Sequence, residues 1–278
     1  MTTEPTTTSR VTLVGAFDNL SSLGVRLLDE ASRLGHVVLR VFDDELIRLT
    51  TGAAPKFPLA ERIYVLESVR FVDRIEVLDP AVNPADPQAM YGPDPGQIMS
   101  STTSAALITM AESLGVKLNV PTPDQLNHFP SPAPCPDNPV RSRKKIIVTG
   151  CFDWLHSGHI RFFEEVSESG DLYVVVGSDA NIRLLKGVGK PMFPQAQRCY
   201  TAGAIRFVKQ AMVSSGQGWL DAEPEVQRLR PDAYAVNEDG DVPEKRDFCA
   251  KLGIEYIVFN RLPKSGLEPR SSTALRGF

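Results

Sequence analysis

His156 and His159, two of the chain's four histidines, stand three residues apart in the stretch GCFDWLHSGHIRFFEE, Gly150–Glu165. An apolar run precedes them and an amphipathic one follows, so the pair falls where a strand gives way to a helix. Such a turn leaves free backbone N–H groups and the positive helix end facing outward, a setting that attracts phosphate. Two imidazoles there can add hydrogen bonds to nonbridging phosphate oxygens. Gly158 between them lets the backbone approach a ligand closely. The spacing also allows a pair of metal ligands or simple packing, but no third and fourth ligand of suitable type stands nearby, so no metal is assigned.

Other candidates follow in chain order. Lys186, in SDANIRLLKGVGKPMFPQAQR, is a mobile point charge suited to a phosphate or a solvated surface lysine. Ser271, Ser272 and Thr273, in RSSTALR, can cap a helix and offer hydroxyls to an anion, and Arg276 follows about one turn later. Asp153 could fix the turn or a ligand group, and the structural role is favoured because its match Asp18 lies in the half without the histidines; Arg198 is open between a surface ion pair and a ligand contact, and Asn237 opens the acidic loop VNEDG. Phe152 and Trp154 read as packing residues.

The elements that must position these residues are legible as a repeat. RVTLVGAFDNL and KKIIVTGCFDWL each begin with a β-branched run suited to a buried parallel strand, then a helical stretch, then a second strand. Gly15, Phe17, Asp18, Leu20, Arg26 and Gly35 recur as Gly150, Phe152, Asp153, Leu155, Arg161 and Gly170, at a constant offset of 135. After one inserted residue, FPLAERIYVLESVRFV pairs with FPQAQRCYTAGAIRFV at half of the positions, which points to duplication. The pattern predicts an α/β fold of two tandem Rossmann-like parallel-sheet domains, with ligand sites at the strand carboxyl ends. The expected plan is a loose residues 1–10, a first domain at 11–126, a linker with five prolines at 127–143, and a second domain at 144–278.

Composition narrows the function. A net charge of −4 and a pI near 5.7 give no sign of a general nucleic-acid binder. Four scattered cysteines lack both zinc-site spacing and disulfide density, and no apolar run is long enough for a membrane span. With a polar, Thr-rich start, these features lead to the expectation of a cytoplasmic protein.

The stretch GCFDWLHSGHIRFF resembles the HxGH signature of the cytidylyltransferase-like nucleotidyltransferase superfamily, and the likeness runs through the second half. KGVGKP is similar to a segment of heptose-phosphate adenylyltransferases, and SSTALR to the S-[ST]-T helix start that holds a triphosphate in this superfamily. The resemblance implies transfer of CMP or AMP from a nucleoside triphosphate to a small phosphorylated alcohol or sugar, with release of pyrophosphate. It implies catalytic roles for His156, His159 and Lys186. Nucleotide contacts are implied for Gly150, Cys151, Phe152, Gly158, Ser271, Ser272, Thr273 and Arg276, and substrate or base contacts for Asp153, Arg198 and Asn237. Mg²⁺ would ride on the CTP or ATP substrate. The cytidylyl ending R-T-x-G-I-S-T is not intact, since Arg270 stands where an apolar residue belongs, which keeps ATP open. The other reading is a nucleotide-binding regulator without turnover.

Aligned on the second half, the first has Ser21 at His156, Gly24 at His159 and Thr50 at Lys186. All three donors are missing, so the first domain reads as a degenerate copy. Relatives form dimers, and a tandem pair could form that contact within one chain.

Overall fold

The computed structural model describes residues 9–134, 143–272 and 275, and the chain divides into two units, residues 1–128 and 129–278. The first contains β1 (Arg10–Gly15), α1 (Ser22–Ser32), β2 (His36–Phe42), α2 (Asp44–Thr51), α3 (Leu59–Ser68), β3 (Arg74–Leu78), α4 (Pro87–Tyr91), β4 (Gln97–Met99), α5 (Ala105–Leu114), β5 (Leu118–Asn119) and α6 (Pro123–Asn127). Its strands are all parallel, in the order β3-β2-β1-β4-β5. The second contains β6 (Lys145–Gly150), α7 (Ser157–Ser169), β7 (Asp171–Val176), α8 (Asp179–Lys186), α9 (Gln195–Gly203), β8 (Val208–Val213), α10 (Glu223–Leu229), β9 (Ala233–Asn237), α11 (Pro243–Leu252) and β10 (Glu255–Phe259). Its parallel order is β10-β9-β6-β7-β8.

Each unit therefore has its own strands in the order third, second, first, fourth, fifth, the Rossmann-like arrangement. The chain reverses direction across the sheet between the first and fourth strands, which opens a crevice at their carboxyl ends. The β-branched runs fill the centre, as strands covered on both faces require. In the first unit, Val11, Leu13, Val37 and Leu39 pack with Leu28 and Leu66. In the second, Ile147, Val175, Tyr234 and Val236 pack with Val226 and Phe248. Among the described residues, no helix is long and apolar enough to cross a membrane.

The duplicated letters serve duplicated bonds. Asp18 accepts from the backbone N–H groups of Lys56 and Phe57, and Asp153 accepts from those of Met192 and Phe193. Arg62 donates to the carbonyls of Phe57, Ala16 and Phe42 and pairs with Asp44. Arg198 donates to the carbonyls of Phe193, Cys151 and Gly177 and pairs with Asp179 at 2.7 Å. Arg26 and Arg161 each pair with acidic residues three and four positions on. Phe17 and Phe152 both adopt φ 48°, a left-handed conformation that is uncommon for a bulky residue.

One detail of the alignment changes. Helices α2 and α8 are both eight residues long and begin at Asp44 and Asp179, so the offset of 135 persists to their ends. The counterpart of Lys186 is thus Thr51, not Thr50, and the extra residue enters after the helix. Thr51 turns its hydroxyl back onto the Ile47 carbonyl.

The proline-rich segment begins packed. Phe129 meets Tyr200 edge-on at 5.6 Å, and Pro132 lies so close to Gly203 that a side chain there would collide with its ring. Residues 135–142 lie outside those described.

Arg198 is 2% exposed and its bonds join four segments of the second unit. Arg198→Met should destabilise that unit by about 3 kcal/mol or more, because the buried carbonyls and Asp179 lose their donor. Arg198→Lys should recover only part of this, since one ammonium cannot span four acceptors. Denaturant unfolding followed by circular dichroism tests it, and wild-type stability in Arg198→Met would refute the structural role.

Candidate active site

The crevice of the second unit is built on the turn after β6. There the ring of Phe152 lies across Gly150, where a Cβ would come within 2.7 Å of the Phe152 ring, so residue 150 has no room for a side chain. The Phe152 ring also meets His159 edge-on at 5.3 Å and Phe163 at 5.2 Å. The residue is a buried wedge that sets the position of the second histidine.

His156 is the N-cap of α7, and its Nδ1 accepts from the Gly158 N–H at 3.1 Å. In the neutral ring the proton then sits on Nε2, which is a donor. A Cβ at residue 158 would stand 3.1 Å from the His156 ring, a close contact that would press on that imidazole. His159 lies beside it with ring centroids 4.0 Å apart. Nε2 of His156 and Nδ1 of His159 are buried without a partner among the described residues. Unpartnered buried polar atoms are costly and concentrate at functional sites.

Burial, then the charges of Arg261 and Arg270, lowers the His156 pKa to about 4. Burial, then neighbouring His156, Arg261 and Lys186, holds His159 well below the ordinary imidazole range, against the opposing pull of the Trp154 carbonyl. Both rings are neutral at pH 7.

The turn opens into a cleft of about 210 Å³. Gly150, Cys151, Phe152, Asp153, His156, Gly158, His159, Lys186, Asn237 and Ser272 line it, which brings together most of the residues selected from sequence. Burial raises the pKa of the Cys151 thiol. Ser272 Oγ lies 3.4 Å from the Trp154 carbonyl. Ser271 lines an adjoining cavity with Gly158, Arg261 and Arg270, and its carbonyl accepts from the Leu275 N–H. Thr273 and Arg276 lie outside the described residues.

Two candidates have other employment. Arg198 is not in the cleft lining, and its guanidinium is spent on three carbonyls and Asp179. Asp153 borders the cleft, but its carboxylate holds the Met192 and Phe193 N–H groups, as Asp18 does where the histidines are absent. Asn237 ends β9 at the cleft, with Oδ1 buried and unpartnered among the described residues.

The lining adds Lys190, Asp239, Lys245 and Arg261. Arg261 pairs with Asp239, and Lys245 donates to the Gly240 carbonyl at 3.2 Å. Burial lowers the Lys245 pKa, against the opposing charges of Asp221 and Asp241. Arg261 follows the last strand directly, so the rule that sites gather at strand carboxyl ends could have singled it out. Lys245 sits in the first turn of α11 and belongs to no motif. Among the described residues, no group of three or more His, Cys, Asp or Glu side chains is placed to hold a metal ion.

The second half of the chain is similar to known proteins. The cytidylyltransferase-like family profile matches residues 147–277. The FAD synthase of Ferroglobus placidus is 32% identical over 135 residues, which cover 48% of this chain and 85% of that protein. The FAD synthase of Thermococcus kodakarensis is 36% identical, covering 48% and 89%. The bifunctional protein HldE of Campylobacter curvus is 33% identical over 101 residues, 36% of this chain and 21% of that protein. A solved lipopolysaccharide core biosynthesis protein from Thermoplasma volcanium is 25% identical with a TM-score of 0.38, covering 44% of this chain and 99% of that one. With the fold, the histidine turn and these relatives in hand, the chain belongs to the cytidylyltransferase-like family of nucleotidyltransferases.

Proposed function

We propose that the second unit transfers CMP or AMP from a nucleoside triphosphate to the phosphate of a small phosphorylated alcohol or sugar, releasing pyrophosphate. The observation that carries this reading is the pair of adjacent imidazoles at the start of α7, 4.0 Å apart and tilted by 31°, each with a buried nitrogen lacking a partner among the described residues. An acceptor phosphate is already anionic near neutral pH, so no protein nucleophile is required. Catalysis reduces to alignment and to neutralising charge on the pentacoordinate phosphorus. His156 Nε2–H is a donor in the resting state. A protonated His159 donates through both ring nitrogens, and an adjacent phosphate favours that proton by opposing the electrostatics that suppress it. Lys186, Lys190, Lys245 and Arg261 line the same cleft as further cationic donors.

Mg²⁺ enters as part of the substrate. The carboxylates lining the cleft are Asp153, held by backbone donors, and Asp239, paired with Arg261. That lining suits a cation carried on the triphosphate rather than in a protein cage. ATP stands first among the triphosphates to test, since the FAD synthases among the relatives are named for a product that contains an adenylyl group. The first unit has Ser21, Gly24 and Thr51 at the corresponding positions, and we infer that it does not transfer nucleotides.

Two measurements check this reading. Pyrophosphate release should appear with Mg-ATP or Mg-CTP and one member of a panel of phosphorylated alcohols and sugars, and His159→Ala should lower the rate about a hundredfold. Nucleotide binding without release, unchanged by His159→Ala, would instead support a regulator. The second measurement uses pH. The unfolded chain protonates His156 near pH 6.5, whereas the folded chain resists until about pH 4, so this group removes stability as pH falls through that window. His156→Asn keeps a capping side chain and lacks this loss. From pH 7 to pH 4 the wild type should therefore lose up to about 3 kcal/mol more than His156→Asn in denaturant titrations. Equal losses would contradict a buried, neutral His156.

A further inference from the structure

Arg261 stands at the boundary between two cavities. It lines the histidine cleft, and with Gly158, Arg270 and Ser271 it also walls the adjoining cavity of about 310 Å³. Its guanidinium pairs with Asp239 through one nitrogen and donates to the Arg270 carbonyl through another at 3.1 Å. Its backbone N–H points to Glu238 Oε1 at 3.4 Å. The residue thus links the turn after β9, the segment after β10 and the Ser271 turn. Its charge reaches both imidazoles.

We propose that Arg261 is a triphosphate-binding residue held at rest by Asp239, and that the nucleotide's pyrophosphate end takes the guanidinium from that carboxylate. The proposal rests on the nucleotidyl-transfer reading of the same cleft. If the reacting phosphorus lies at the histidines, the next phosphates extend past Gly158 toward the Ser271 turn. Arg261 is the cation shared by the two spaces. A guanidinium suits this position because its planar fork can hold two phosphate oxygens at once. The resting partner is replaceable. The Asp239 side chain is 54% exposed and that of Arg261 35%, so the pair keeps access to water and contributes little on its own. A carboxylate at the mouth of a polyanion site both competes for the guanidinium and repels the ligand. The exchange therefore makes Asp239 a brake on binding rather than a support for it.

Magnesium pyrophosphate titrated into the full-length chain by calorimetry tests the exchange without knowledge of the acceptor. Arg261→Gln should weaken binding on the order of tenfold or more, the range for a charge-assisted hydrogen bond. Asp239→Asn should tighten it by about two- to fivefold, the size of an exposed ion pair. The opposed directions separate this role from a folding defect, which would weaken both. Unchanged affinity in Arg261→Gln, or weaker binding in Asp239→Asn, overturns the assignment while nucleotidyl transfer stands. A wild type that binds neither magnesium pyrophosphate nor any triphosphate overturns the transfer reading and this assignment together.

Discussion

The buried Arg198 guanidinium is the constraint on which the second unit's crevice depends. Its acceptors are the carbonyls of Cys151, Gly177 and Phe193 and the carboxylate of Asp179. These belong to the turn after β6, the end of β7, the segment before α9, and the first turn of α8. Parallel strands leave such ends open, and each carbonyl would otherwise be buried without a donor. One planar fork satisfies them together and fixes how α8 leaves the sheet, and α8 carries Lys186 to the cleft. Asp153 completes the frame by holding the backbone at Met192 and Phe193. Nearly the same bonds recur around Arg62 and Asp18, so the frame is a property of the fold that both units share.

Within this satisfied frame, the histidine turn is left incomplete. Its imidazoles are packed and desolvated, and each has a nitrogen with no partner among the described residues. Where local polar satisfaction fails inside an otherwise consistent structure, function is the usual reason. The suppressed histidine charge belongs to the same arrangement, because neutral rings can lie 4.0 Å apart beside Arg261 and Arg270. An anion restores the missing balance in both hydrogen bonding and charge.

Much of this was legible in the sequence because it is local. Strand and helix periodicity gave the parallel sheets, and the constant offset gave the residue correspondence between the halves. The histidine turn, Lys186 and Ser272 came from short motifs and meet in one cleft. What was not legible depends on convergence across the sheet. Lys245 reaches the cleft from α11 and belongs to no motif, and Arg261, two residues past β10, is marked only by its place near a strand end. Asp153 and Arg198 were ambiguous because a buried rivet and a ligand contact use the same residue types. Only their bonds to distant backbone groups separate the two roles. The substitution of Thr51 for Thr50 as the counterpart of Lys186 arose because an inserted residue can be located only once the helix ends are known.

The left-handed Phe at the histidine turn has a wider consequence. Phe17 adopts the same φ as Phe152, in a half where the two histidines are replaced by Ser21 and Gly24. The left-handed backbone is therefore present in both halves, with imidazoles beside it in only one. The chain carries its own control, since one half presents the turn with imidazoles and the other presents it without. A spectroscopic probe attached alike to both turns would record, in a single sample, what a ligand does to the histidines against what solvent and temperature do to the turn.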